Sequence, residues 1–192
     1  MAGSKHLIWL LFLCSVFTSA VCDTFYIISA PGDSCPSVGQ CYTLQQYADN
    51  PIIRSDINFL ELQPGNHSLN TRLTVMPSNS VTNFSMTSVC GTVICSYPPT
   101  RGYITIDGVQ NVYIGQMSFI DCYSNRIGTA DNFIAEDSTF HSGGSTGLVL
   151  DGISNALIQR CSLSGVFHHQ RNGFLYLRLT IGIIIREYAV SN

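Results

Sequence analysis

Lysine is nearly missing from this chain. Lys5 is the only one in 192 residues, and the other basic residues are arginines, outnumbered by twelve Asp plus Glu. Beyond position 5 this excludes a Schiff-base lysine, a phosphate-loop lysine and a lysine general base. Charged residues are only 11% of the chain and form no basic stripe, which argues against nucleic acid as a partner. Trp9 is the only tryptophan, so the Cys…Trp…Cys framework of an immunoglobulin-type sandwich is absent. The zincin helix and the phosphate loop are absent too. No run is apolar over the ~20 residues that span a bilayer. Leu7 to Phe17 is too short, and Leu175 to Ile185 is short and interrupted by Arg178.

The first run has a better reading. Lys5 and His6 precede it and small residues follow, which is the layout of a secretory signal over residues 1–22. Cleavage fits after Ala20 or after Cys22. The remainder is long enough for one domain with a real core, and export places it outside the cell.

Cysteine usage agrees with export. Of eight cysteines, Cys14 leaves with the signal, and Cys22 leaves if cleavage follows it. Cys35 and Cys41, and Cys90 and Cys95, are close in sequence and read as two local disulfides, each contributing roughly 2 kcal/mol. Metal ligation is the rival reading, but no paired-histidine spacing accompanies these cysteines. Asn66-His-Ser and Asn83-Phe-Ser are N-glycosylation sequons, with Asn66 and Asn83 as acceptors.

Three stretches share one pattern: Asn111 to Phe119, Asn132 to Phe140 and Asn155 to Leu163. Each runs Asn, two apolar residues, a small or apolar residue, two polar residues, a variable one, then Ser/Thr and Phe/Leu. A period a little over 20 residues marks a solenoid. Asn83 to Met86 is a weaker copy. Strands opening with Gly at 147 and 173, and weakly at Gly128-Thr-Ala130, supply a third element, so each coil holds three short strands. Upstream, Thr24 to Ser29 reads as a strand, and Thr43 to Ala48 as a short helix with Thr43 as N-cap, ended by Asn50-Pro51.

Stacking coils ~4.8 Å apart puts equivalent residues in contact. Ile114, Ala135 and Ile158 form one interior column. Phe119, Phe140 and Leu163 form a second, and Met117, Ser138 and Cys161 a third. Ser118, Thr139 and Ser162 point outward. Asn111, Asn132 and Asn155 fall at a corner, where asparagine tolerates left-handed backbone and its amide bonds the next coil. Cys122 and Cys161 lie two coils apart at different offsets, too far for a bridge, so both are expected to be free and buried.

In this pattern the chain resembles the right-handed parallel β-helix proteins of the pectin-lyase-like superfamily. It is similar in particular to secreted or surface members from simple animals. The resemblance is carried by Cys41-Tyr-Thr-Leu-Gln-Gln-Tyr47, by Leu62-Gln-Pro-Gly-Asn-His-Ser-Leu69 and by coils like Asn111 to Cys122, over roughly residues 23–177. Such members are usually longer, and this chain departs from them at its end, as a truncated member would. The resemblance implies an all-β fold: a signal at 1–22, a leader and cap at 23–56, a right-handed parallel β-helix at 57–177, and a terminal strand or partial coil at 178–192.

Enzymes of that superfamily act on acidic polysaccharides. The resemblance implies Asn-Thr-Asp, Asp-Asp, Gly-His-Gly and Arg-Ile-Lys strings for the hydrolases, and none occurs. The lyases need acidic calcium ligands and a basic residue. The nearest material is Asp121, Asp131, Glu136, Asp137 and Asp151, with Arg126 and Arg160. Glu136 and Asp137 are adjacent, so strand alternation sends them to opposite faces; only Asp121 and Asp137 approach across coils. These read as solvated charges. His168, His169 and an outward corner His141 read as exposed histidines rather than a metal site. No catalytic residue, metal or cofactor is therefore expected. The sequence points to a secreted non-enzymatic module that binds carbohydrate or protein, with a polysaccharide lyase or hydrolase as the alternative. The apolar stretch from Leu175 leaves an edge through which the isolated chain is expected to self-associate.

Overall fold

The computed structural model describes residues 22–31, 33–35, 40–50, 56–76, 81–95, 103–122, 125–142, 148–165, 175–179, 183–186 and 189–191. Most of the signal segment lies outside them, as do His168 and His169. The described chain makes successive passes of parallel strands. Strand β1 (Cys22–Ile28), β2 (Gln40–Thr43) and helix α1 (Leu44–Asp49) form the entry. The first pass holds β3 (Ile57–Leu62), β4 (Gly65–Leu69) and β5 (Arg72–Val75), and the second β6 (Asn83–Cys95) and β7 (Tyr103–Asp107). The third holds β8 (Asn111–Ile120) and β9 (Asn125–Gly128), and the fourth β10 (Asn132–Glu136), β11 (Thr139–Ser142) and β12 (Leu148–Ile153). The fifth holds β13 (Asn155–Gln159), β14 (Ser162–Gly165) and β15 (Leu175–Leu179), and the last β16 (Ile183–Arg186) and β17 (Ala189–Ser191).

Every strand pairing is parallel, and the strands form two sheets. One runs β16-β13-β10-β8-β6-β3-β1-β2, with β4, β11, β14 and β17 attached; the other runs β15-β12-β9-β7-β5. The architecture is thus all-β, with long parallel sheets. Its register follows the repeat: Asn83, Asn111, Asn132 and Asn155 are directly paired, as are Met86, Ile114, Ala135 and Ile158. Val93, Phe119, Phe140 and Leu163 form the second buried column. Met117, Ser138 and Cys161 are buried at the third. A further column, Val81, Val109, Ala130 and Ile153, sits two residues before each asparagine and is also buried.

The asparagines do bond from pass to pass. Asn111 donates to Asn83 (2.6 Å), Asn132 to Asn111 (2.8 Å) and Asn155 to Asn132 (3.3 Å). The left-handed backbone, however, lies elsewhere than expected. It falls five residues later, at Gln116, Asp137 and Arg160 (φ 57°, 51° and 52°), and three residues earlier, at Gly108, Thr129 and Gly152 (φ 69°, 48° and 72°). The asparagines are already within their strands; the chain turns just outside them. Thr129 is β-branched at a position where its neighbours in the stack are glycine, which strains it by about 1–2 kcal/mol. Thr129→Gly is expected to raise stability by about 1 kcal/mol in urea unfolding, after the entropy that glycine adds to the unfolded chain.

The third-strand expectation needs correction in the third pass. The strand is Asn125–Gly128, with Asn125 paired to Leu148, rather than one opening at Gly128. Asn125 is a buried polar residue at an inward position, so hydrophobic pattern hid the strand.

Helix α1 begins where expected. Thr43 and Gln46 form a capping box, and Leu44 and Tyr47 are buried. Tyr47 packs edge-on to Phe25, with ring centres 5.1 Å apart, and its hydroxyl bonds Asn58 Oδ1 at 3.3 Å. Asn58 heads an interior column that Phe84 continues in the next pass. Gln45 ties the helix to the turn before β5, accepting from Asn70 N at 2.7 Å.

Candidate functional site: the first corner

The first and second strands of each pass meet at a corner whose length changes midway along the stack. Between Thr87 and Gly91, β6 has three residues, Ser88, Val89 and Cys90; β8 has only Gln116 between the paired positions Gly115 and Met117. The first pass has a long corner as well, since β6 pairs Ser88 with Leu62 and Gly91 with Gly65. The later passes turn on one left-handed residue, Asp137 or Arg160. Where long meets short, the wider corner overhangs the narrower one. A cavity of about 340 Å³ opens there, lined by Val89, Cys90, Gly91, Thr92, Gln116, Met117, Ser118 and Asp137.

The overhang is rigidly built. Ser88 is buried and donates to Leu62 O at 2.8 Å, while accepting from Cys90 N at 3.3 Å. A Cβ at Gly91 would collide with the Ser88 hydroxyl, which is why glycine stands there. Val89 projects outward, 79% exposed, the one exposed large hydrophobic among the described residues.

Beside the cavity, charged and polar side chains bridge three passes. Tyr113 donates to Glu136 Oε1 at 2.5 Å, and Gln159 donates to Oε2 at 2.7 Å. Arg160 reaches Glu136 Oε2 at 3.2 Å and both oxygens of Asp137, at 2.6 and 2.9 Å. Adjacent Glu136 and Asp137 therefore meet on one guanidinium, against the expectation of opposite faces. The left-handed backbone of Asp137 breaks strand alternation and brings the two carboxylates to the same side. Tyr113 lies back over Gly115, where a side chain would strike its ring. Burial and the Glu136 carboxylate push ionisation of the Tyr113 phenol well above its ordinary range, so it stays a donor. Hydrogen bonding to Asp137 likewise holds Arg160 firmly protonated.

A second cluster lies on the other sheet. Arg126 bridges Asp107 at 3.3 Å and Asp151 at 3.1 Å, across the gap that Gly128 leaves between them. A Cβ at Gly128 would meet Asp107 Oδ1 at 2.7 Å. These side chains are all part-exposed, so the pair of contacts contributes little stability.

The remaining candidate residues are scattered. Asp121 sits at the corner after β8, where its N–H donates to His141 O, so it does not approach Asp137 at the first corner. His141 is in strand β11 rather than at a corner. Asp131 is exposed. No group of three or more His, Cys, Asp or Glu residues among those described is placed to hold a metal.

Two cysteine assignments change. Cys35 and Cys41 are bonded, but Cys95 pairs with Cys122, with Cα atoms 4.8 Å apart, leaving Cys90 free and exposed. Cys90 and Cys95 lie in one extended strand, where five residues span roughly 16 Å, far beyond disulfide reach. Cys122 follows the end of β8 and so lies one pass from Cys95, a neighbour that the two-pass argument against Cys161 left out. Cys161 is free and buried, and burial pushes its thiol pKa up.

The two sequons also part company. Asn66 is exposed on β4. Asn83 is 6% exposed; its amide donates to Thr82 Oγ1 at 3.0 Å, and its carbonyl accepts from Asn111. The Asn83 carbonyl is thus part of the ladder, while the nitrogen that would carry a sugar is held by the neighbouring Thr82 hydroxyl.

Among known proteins, no family's sequence model, no curated protein and no solved structure matches this chain.

Proposed function

We infer that the chain is a secreted right-handed parallel β-helix of the pectin-lyase-like kind, acting as a non-enzymatic extracellular module that binds carbohydrate or protein on its stacked faces. Residues 23–56 serve as leader and cap, 57–177 as the coils and 178–192 as the last strand or partial coil, after loss of the signal at 1–22. The observation that carries this reading is the state of the first-corner carboxylates. Glu136 accepts from Tyr113, Gln159 and Arg160, and Asp137 from Arg160. A general acid and base must be able to exchange protons with substrate; this pair is tied to its own arginine. Stacked parallel passes, held by an asparagine ladder, suit a rigid display surface. Cleavage after Ala20 fits this reading better than cleavage after Cys22, because Cys22 pairs with Ile57 at the start of β1.

The alternative, a polysaccharide lyase or hydrolase, draws on the convergence of Glu136 and Asp137. A depolymerisation assay on acidic glycans with calcium separates the two readings. Turnover abolished by Glu136→Gln would replace the binding module with an enzyme. The direct test of the binding module is a screen of the secreted mature chain against glycans and extracellular proteins; no ligand in either set would sink it.

Two further outcomes belong to this reading. Peptide mapping of the secreted chain is expected to show one N-glycan, at Asn66, and none at Asn83. At the far end of the stack, β15, β16 and β17 are each paired on one side only among the described strands. The isolated mature chain is expected to self-associate through that edge, and a monodisperse monomer by light scattering would contradict it.

A further inference from the structure

The first-corner cavity gives the binding module a place and a ligand class. We propose, in dependence on that binding function, that the cavity holds one ring of a neutral, extended β-linked glycan whose chain runs along the stack over the hydroxyls of Thr92, Ser118, Thr139 and Ser162.

Several observations converge. The cavity, at about 340 Å³, is of small-ligand size. Its lining is mostly polar. Hydroxyl, carboxamide and carboxylate groups come from Thr92, Ser118, Gln116 and Asp137, with the exposed Val89 beside them. Gln116 and Asp137 occupy the same left-handed corner position in neighbouring passes. Their side chains therefore stand about one pass apart, ~4.8 Å, spaced to engage hydroxyls of successive rings or of one ring's two sides.

The direction of the chain comes from register. Thr92 pairs with Ser118, Ser118 with Thr139, and Thr139 with Ser162, each half-buried and outward between buried neighbours. Hydroxyls thus recur once per pass along the axis. An extended β-1,4-linked pyranose advances by a similar length per ring, so each ring meets the next hydroxyl without the ligand bending.

The charge argues for a neutral ligand. Asp137 is the only charged residue in the lining. The cation beside it, Arg160, is already bound to Asp137 and Glu136. A uronate carboxylate placed here would face Asp137 with no cation to offset it. This sets the site apart from one built for acidic polysaccharide.

Cys90 makes the proposal testable, because a free, exposed thiol stands in the cavity wall. The secreted chain is titrated with cellotetraose and, separately, with tetragalacturonate, while iodoacetamide labelling of Cys90 is followed by peptide mapping. Saturating cellotetraose is expected to slow Cys90 labelling several-fold, and tetragalacturonate to leave it unchanged. Gln116→Gly keeps the left-handed corner while removing the carboxamide. It is expected to weaken cellotetraose binding about tenfold, the loss of one well-made hydrogen bond. Arg126→Ala, on the other sheet, should bind normally. If glycans bind but Cys90 labelling and the Gln116→Gly affinity are unchanged, the cavity proposal falls and the binding module stands. Protection by tetragalacturonate alone overturns the neutral class. If no glycan in the screen binds, the carbohydrate reading falls, and the cavity proposal with it.

Discussion

Replacing Phe119 with alanine is expected to destabilise the protein by about 3–5 kcal/mol, a large share of the roughly 5–15 kcal/mol ordinary for a domain. Phe119 is fully buried and stacks on Phe140 of the next pass, with ring centres 5.0 Å apart and planes 9° from parallel. On its other side it pairs with Val93, and Phe140 in turn with Leu163. Truncation therefore opens a void in mid-column, flanked on both sides by strands that are pinned by their own ladders and cannot collapse into it. Phe140→Ala should cost nearly as much, and the double variant less than the sum, because the two rings are partners of each other. Leu163→Ala, one pass further along the same column and outside the stacked ring pair, is the milder comparison. Urea unfolding followed by circular dichroism reads all four. A loss of under about 1 kcal/mol for Phe119→Ala would show that the column is not packed as described.

Removing the Cys95–Cys122 bridge is expected to cost about 3.5 kcal/mol, measured as the double alanine variant against the parent. The bridge closes a sequence separation of 27, and loop entropy sets that figure. Cys35–Cys41, with a separation of 6, should give up about 2 kcal/mol when treated in the same way. The two also differ in access. Cys95 and Cys122 are 2% and 0% exposed, whereas Cys35 is exposed. Mild reductant should therefore open the shorter bridge first, and Cys95–Cys122 only after unfolding. Partial reduction with alkylation and mapping would show the order, and the reverse order would contradict the burial. Single variants are less informative, because Cys95→Ala leaves a thiol at Cys122 in a site shaped for a bond.

Much of the fold was legible in the residues, for a physical reason. Stacked parallel passes put like on like, so a repeat such as Asn111, Asn132 and Asn155 writes the register directly into the sequence, and three interior columns result. Legibility stopped where one pass differs from the next. Asn125 carries a polar side chain to an inward position, so its strand went unseen. Cys95 and Cys122 do not occupy equivalent repeat positions, and their bridge runs from the last residue of β6 to the corner after β8. Ser88-Val89-Cys90 belongs to one extended strand and carries no turn residue that would mark a wide corner. The cavity is produced by the difference between two corners, so no single segment contains it. The convergence of Glu136 and Asp137 was hidden for a related reason: it depends on one left-handed φ at an aspartate that pattern alone reads as strand.

The change in corner length has a consequence for how the chain finds its fold. A column of near-identical passes invites a slip by one whole pass, since asparagine would still meet asparagine and apolar residues would still meet apolar residues. The early passes turn on three residues and the later ones on one. A slipped stack would press a wide corner against a narrow one at a new place and leave a mismatch at the old one. The Ser88 hydroxyl, set between Leu62 O and Cys90 N, would lose its counterpart in any such arrangement. The step between wide and narrow corners thus acts as an index mark, giving an otherwise repetitive chain one alignment in which every pass is in its own place.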